Sequence, residues 1–288
     1  MNNYILVILA TILLAVDFAI SKKFQSVEGT DLGPGLKYNA LNGLFTAIVF
    51  WALAGFKIEF SWFSLILAFS MALCCAAYSL IGFRVLRIGN MAVYSLFLMS
   101  GGMLLPYFYG ILFLEESLTF ARICGVLIIL LAIIISNKSK EKFPVVFYVL
   151  CAAVFLLNGS VSVISKCHQI NTVFQPVSSI SFIMYSGIGR FIFSLGALLF
   201  VNKGGKPAKF SGKKTLLFIA ASALIGGLSY MLQLIGAKEL PATVLYPLVT
   251  GGSIIFSALA EKVFFKGKLT KYQIISVILC FLGTCFFL

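Results

Sequence analysis

The chain has 288 residues, of which 61% are hydrophobic and 11% charged, against about 45–50% and about 25% in soluble domains. Too few charged side chains are present to coat a water-facing exterior, which excludes a soluble globular protein and points to lipid as the surrounding medium. The net charge of +13 comes from basic residues scattered over short connections, which argues against a nucleic-acid-binding face and fits orientation in a membrane.

A helix needs about 20 apolar residues to cross a hydrocarbon layer of about 30 Å. Ten segments meet that need: Tyr4 to Ser21, Gly35 to Gly55, Trp62 to Gly82, Met91 to Leu114, Phe120 to Ser136, Pro144 to Ser165, Val177 to Val201, Lys214 to Ile235, Ala242 to Phe265 and Tyr272 to Leu288. The first reads as a retained span and not a secretory signal. Met1 to Tyr4 carries no Lys or Arg, no small-residue cleavage site follows, and Asp17 interrupts the run. Continuous apolar runs favour helices over barrel strands, which alternate and are about ten residues long. The cysteines lie mostly inside these runs as small hydrophobes, and zinc-ligand spacings are missing, so neither a metal nor another cofactor is expected.

The chain repeats itself. Ile20-Ser21-Lys22-Lys23-Phe24-Gln25, at the end of the first span, returns as Ile164-Ser165-Lys166-Cys167-His168-Gln169 at the end of the sixth, with four of six positions identical. The polar run Asn137 to Lys142 divides residues 1–138 from 143–288, with five spans in each part. A unit that crosses five times ends opposite its start, so the second copy must be inserted upside down. Counting Lys and Arg supports this. The odd-numbered connections hold seventeen and the even-numbered four, which predicts odd connections in the cytoplasm and both termini outside. The expected fold is all-α integral membrane: ten transmembrane helices as two inverted five-helix repeats in the cell membrane.

The fourth span contains Gly101-Gly102 and Pro106, the ninth Pro247 and Gly251-Gly252. Matching helix breaks in two halves point to a cavity where freed backbone groups find partners. The other reading is close helix packing at the glycines.

Each half also ends on a related run. The first reads Glu116-Ser117-Leu118-Thr119, then Arg122, Gly125 and Ala132. The second reads Gly267, Leu269-Thr270, Gln273, Ser276 and Gly283. Together they resemble the pattern Glu-x-Leu-Thr, Gln three residues on, Gly, and a second Gly seven further, found in EamA-like members of the drug/metabolite transporter superfamily. Gly267 replaces the Glu, Arg122 the Gln, and Ala15-Val16-Asp17 lacks the Trp-Gly often seen in the first span of that family. The resemblance implies a secondary transporter of small metabolites, with a central cavity lined by the first, third, fourth, sixth, eighth and ninth spans.

Several residues are candidates for the site. Arg190 is the one Lys or Arg well inside a span, where a charge costs at least about 2.5–3.5 kcal/mol. It reads either as a counter-ion for an anionic substrate group or as a lock between helices. Asp17, one turn before Ser21, reads either as a proton-coupling carboxylate or as the partner of a nearby lysine. Tyr78 in the third span answers Tyr230 in the eighth, and Tyr94 in the fourth answers Tyr246 in the ninth. Such tyrosines suit a mixed polar and apolar pocket, or an interfacial belt. Ser95, Gln233 and Thr250 lie near them, while Asn158 and Ser162 sit one turn apart on the sixth span. Lys22 and Lys166 read as snorkelling anchors, and His168 as an interfacial residue.

The expected activity is export of small metabolites such as amino acids by alternating access. The expected partners are a small-molecule substrate, membrane lipid and a proton as coupling ion, with one chain sufficing and no nucleic acid. The rival is a membrane sensor or membrane enzyme. One His, few acids and no ligand-spaced cluster argue against an enzyme, and no Walker signature supplies an ATP motor.

Overall fold

The computed structural model describes residues 3–29, 31–88, 91–136, 143–201, 212–266 and 270–288. Within them the structure is all-helical, in ten helices: α1 (Asn3–Glu28), α2 (Leu32–Leu53), α3 (Trp62–Ile88), α4 (Met91–Phe113), α5 (Phe120–Ser136), α6 (Val145–Ile170), α7 (Ser179–Val201), α8 (Lys213–Glu239), α9 (Ala242–Phe265) and α10 (Lys271–Cys285). Every expected span is a helix. Seven of them, α1, α3, α4 and α6 to α9, are long and apolar enough to cross a membrane, while α5 and α10 are shorter apolar helices. Large side chains such as Leu112, Val145, Phe200 and Leu217 stay exposed on the outside, a surface suited to lipid. The dividing run Asn137 to Lys142, the lysines Lys203, Lys206, Lys209 and Lys268, and Gly267 and Leu269 lie outside the described residues.

Helices α1, α3, α6 and α8 run on past their expected ends. Hydropathy marks where the apolar stretch stops, but backbone hydrogen bonding continues through polar residues. The repeated Ile-Ser-Lys motif is thus helical throughout. A second correction concerns α4 and α9, which are continuous through Pro106 and Pro247 and not broken there. Their glycines serve packing. A Cβ on Gly101 would fall 2.2 Å from the Phe155 carbonyl oxygen, and one on Gly251 would fall 2.5 Å from Thr284 Cγ2.

The main helix contacts follow a rule. α2 packs on α7, α4 on α9 and α5 on α10; α1 packs on α8 and α9, and α6 on α3 and α4; α2 meets α8, and α7 meets α3. Exchanging each helix for the one five places away returns the same set. At the α2–α7 crossing a Cβ on Gly43 would lie 2.7 Å from the Gly187 oxygen, and one on Gly187 would lie 2.8 Å from the Gly43 oxygen. Gly43 faces Phe191 while Ala47 faces Gly187, so these two helices are antiparallel.

The terminal motifs explain the α5–α10 pair. Thr270 and Gln273 form a capping box that starts α10, with the Thr270 N–H donating to Gln273 Oε1 at 2.8 Å. At α5 only half of the box survives, the Arg122 N–H donating to Thr119 Oγ1 at 3.3 Å. The small positions then meet crosswise. Gly125 and Gly283 each face the carbonyl oxygen of the other, and Ser276 Oγ donates to the Ala132 carbonyl at 2.9 Å. This pair too is antiparallel.

Gly43→Val is expected to lower stability by about 1–3 kcal/mol, because backbone stands where the side chain would go. Gly196→Ala, with nothing within 4 Å of the added carbon, should stay within about 0.5 kcal/mol. Thermal unfolding of both variants in detergent checks the difference.

Candidate functional site

A polar network joins α1, α2, α7 and α8. Arg190 on α7 donates through Nη1 to Asn42 Oδ1 at 3.2 Å and through Nη2 to Thr46 Oγ1 at 3.4 Å. Asn42 Nδ2 donates to Ser222 Oγ at 3.2 Å, and the Ser222 hydroxyl donates to Asp17. Tyr38 bonds Ser222 at 2.5 Å and Ser21 at 2.7 Å. A glycine makes room for the carboxylate, since a Cβ on Gly226 would lie 2.8 Å from Asp17 Oδ2. Asn42, Thr46 and Ser222 are buried; Asp17, Tyr38 and Arg190 keep some accessible surface. Arg190 thus bonds two side chains of α2. Asp17 meets Ser222 in place of the lysine partner envisaged from sequence.

The tyrosines adjoin this network. The Arg190 charge acts on Asp17, Tyr38, Tyr78 and Tyr230. Tyr94 of α4 packs against α3, since a Cβ on Gly82, one turn beyond Tyr78, would lie 2.6 Å from the Tyr94 hydroxyl. Tyr230 bonds Ser165 at 2.5 Å, and Tyr246 donates to the Ser162 carbonyl at 2.6 Å. Tyr78 and Tyr230 are partly exposed. Asn158 and Gln233 are partly exposed. They bond the Leu98 carbonyl at 2.8 Å and Ser229 Oγ at 3.2 Å. Ser95 is partly exposed and Thr250 buried.

Tyr38, Asn42, Thr46 and Ser222 did not stand out in the sequence. Asn42 carried a usable signal, an amide within an apolar run that needs a partner. A serine or threonine in a span carries little, because it can return its proton to its own helix.

One end of the bundle is held by ionisable groups that are buried or partly buried. Glu116, just after α4, accepts from the Ala242 N–H at 2.7 Å, the Thr243 N–H at 2.8 Å and the Thr243 hydroxyl at 2.7 Å, at the start of α9. A carboxylate there satisfies orphan donors and the helix dipole. Lys166 donates to the Ala237 and Leu240 carbonyls at 2.8 and 2.6 Å, at the end of α8. It is 4% exposed, so it is a helix cap and not a snorkelling anchor. Its counterpart Lys22 is exposed and pairs with Glu261 at 2.5 Å. His168 is likewise not interfacial. Fully buried, it sits between Ser64 and Gln169 at 2.9 Å each and stacks on Phe182. Beside it a recess of about 530 Å³ opens, lined by Asn171, Ser178, Ser179 and Lys238 among others.

Glu59, between α2 and α3, accepts from the Ser178 N–H at 2.6 Å. Partial burial opposes its charge, but hydrogen bonds from Ser178 and Ser181 outweigh this and hold its carboxyl below the usual range. Its contribution is present above the ordinary carboxylate pKa and is lost as pH falls through the lowered one. Among the described residues no group of three His, Cys, Asp or Glu side chains is placed to hold a metal.

Glu116→Ala is expected to cost about 1–2 kcal/mol, the loss of a helix cap. Lys22→Ala, which removes an exposed pair, should cost no more than about 1 kcal/mol. Thermal unfolding in detergent ranks the two.

A solved structure described only as "Crystal structure of protein" superposes with a TM-score of 0.75 at 16% identity, covering 97% of this chain and 95% of that one. It shows a shared fold. No curated protein matches the chain. The family model for the EamA-like transporter family matches residues 144–288, half of the chain, the half that carries Thr270, Gln273, Gly283 and the buried Lys166. With seven apolar helices of spanning length, this is a multi-pass membrane protein, and it belongs to the EamA-like transporter family.

Proposed function

We propose that the chain is a secondary transporter of small metabolites, amino acids among them, working by alternating access between two inverted five-helix halves in the cell membrane. One observation carries the reading. Asp17, Asn42 and Thr46 of the first half are joined to Ser222 and Arg190 of the second in one hydrogen-bonded network between α1, α2, α7 and α8. Exchange of contacts between equivalent helices and the antiparallel pairs α2–α7 and α5–α10 support the inverted arrangement. Polar groups gathered from both halves, several of them partly exposed, suit a solute held midway across.

Rocking one half against the other exposes that place to each side in turn. Glu116 and Lys166 fasten the turn between α8 and α9 at the outer end. The Lys22–Glu261 pair closes the cytoplasmic end. Substrate groups are taken by Arg190 and the tyrosine hydroxyls, with Ser95, Asn158, Ser162, Gln233 and Thr250 completing the pocket and Asp17 carrying the coupling proton. One chain supplies both halves and functions as a monomer.

Liposomes containing the protein should accumulate or release a labelled amino acid under an imposed proton gradient, and Arg190→Gln should reduce the rate at least about tenfold. Failure of a broad metabolite panel to cross would sink the proposal. Labelling of single cysteines placed at Lys57 and Lys271, in a background without the native cysteines, should find them on opposite sides of the membrane.

A further inference from the structure

We propose that the site takes a small carboxylate-bearing metabolite together with one proton, the carboxylate on Arg190 and the proton on Asp17. This rests on the transporter reading and narrows it to a substrate class and a direction of coupling.

The hydrogen bonds of the network have a polarity. A guanidinium only donates and an ionised carboxylate only accepts. Arg190 donates to Asn42, Asn42 to Ser222, and Ser222 to Asp17, so every link points from the cation to the anion. With the Ser222 proton spent on Asp17, Tyr38 must donate to Ser222, and Ser21 to Tyr38. Two neutral side chains thus join one positive and one negative charge, and the pair is balanced.

Protonation of Asp17 turns an acceptor into a donor. The hydroxyls can answer without moving: Asp17 donates to Ser222, Ser222 to Tyr38, and Tyr38 to Ser21. Ser222 still accepts from Asn42 through its second lone pair. The hydrogen bonds survive, but Arg190 has lost its balancing charge inside the membrane, where an uncompensated cation is costly. An anion then restores neutrality. Adding that anion while Asp17 is still ionised would leave an excess negative charge, so proton and anion favour each other's binding.

The chemistry of the anion follows from Arg190. Two of its five N–H donors are used on Asn42 and Thr46, and those left over suit a planar carboxylate. The groups around it from the other elements are neutral hydroxyls and a thiol: Tyr38 of α2, Cys75 and Tyr78 of α3, Tyr230 of α8. Against α1, the helix α8 presents Ser222 and Gly226. On α9, Glu261 is taken by Lys22. Asp17 is thus the acid whose proton answers the Arg190 charge.

The test uses the purified full chain in detergent and four probes: lactate, L-alanine, L-phenylalanine and putrescine. The first carries a carboxylate alone, the next two a carboxylate with an ammonium, and the last only ammonium groups. Binding is read calorimetrically at about pH 5.5 and about pH 7.5, a window in which the probe carboxylates stay ionised. A carboxylate probe should bind, with apparent affinity rising by up to about tenfold per pH unit lowered. In Asp17→Asn the affinity should match the acidic wild-type value at both pH values. Arg190→Lys, which keeps the charge, should weaken carboxylate binding at least about tenfold, and putrescine should bind neither the wild type nor the variant. Tighter carboxylate binding at the higher pH, or a pH dependence that survives Asp17→Asn, overturns the inference. If putrescine alone binds, or none of the carboxylates does while liposomes carry other solutes, the inference falls and the transporter reading stands. If no solute crosses at all, both fall.

Discussion

A guanidinium placed in the middle of a membrane helix must find its partners inside the protein, and much of the architecture answers to that demand. Arg190 reaches Asn42 and Thr46 because α7 lies against α2 with only hydrogens between the backbones at Gly43 and Gly187. Gly43 follows Asn42 directly, and Gly187 stands one turn before Arg190 on α7. The close crossing and the polar contact are one feature. A bulkier residue at either glycine would move the cation away from its acceptors and leave it unsatisfied in a setting of low dielectric.

The same crossing ties packing to chemistry in the wider bundle. Helix α2 also meets α8, which brings Ser222 to Asn42 and Tyr38. Helix α8 packs on α1, which brings Ser222 to Asp17. Charges of opposite sign thus come to lie on helices from different halves, coupled through neutral groups. The two ends of the bundle are held unequally. Glu116, partly buried, and Lys166, buried, serve backbone groups at the α8–α9 turn, whereas Lys22 and Glu261 form an exposed pair, a weaker kind of fastening.

The terminal motifs have a structural explanation. Thr270 and Gln273 start a helix, Thr119 and Arg122 do so less completely, and the small residues at Gly125, Ala132, Ser276 and Gly283 let α5 and α10 cross. None of these groups belongs to the Arg190 network. That is why the family likeness identifies an architecture and leaves the solute to be argued from other residues.

The membrane setting and the ten helices were legible in the sequence, because apolar runs of spanning length leave a local signature. Arg190, Asp17 and the four tyrosines could also be singled out there, each being conspicuous in an apolar run. Tertiary structure decided what these residues meet. Lys166 looked like an anchor until α8 ended beside it, His168 looked interfacial until Phe182 and Ser64 enclosed it, and the glycine pairs of α4 and α9 looked like breaks until neighbouring helices filled the space. Ser222 could not be distinguished from other serines. Local pattern determines where a helix forms and which face is apolar; which polar group receives a given proton depends on segments far apart in the chain, and only packing brings those together.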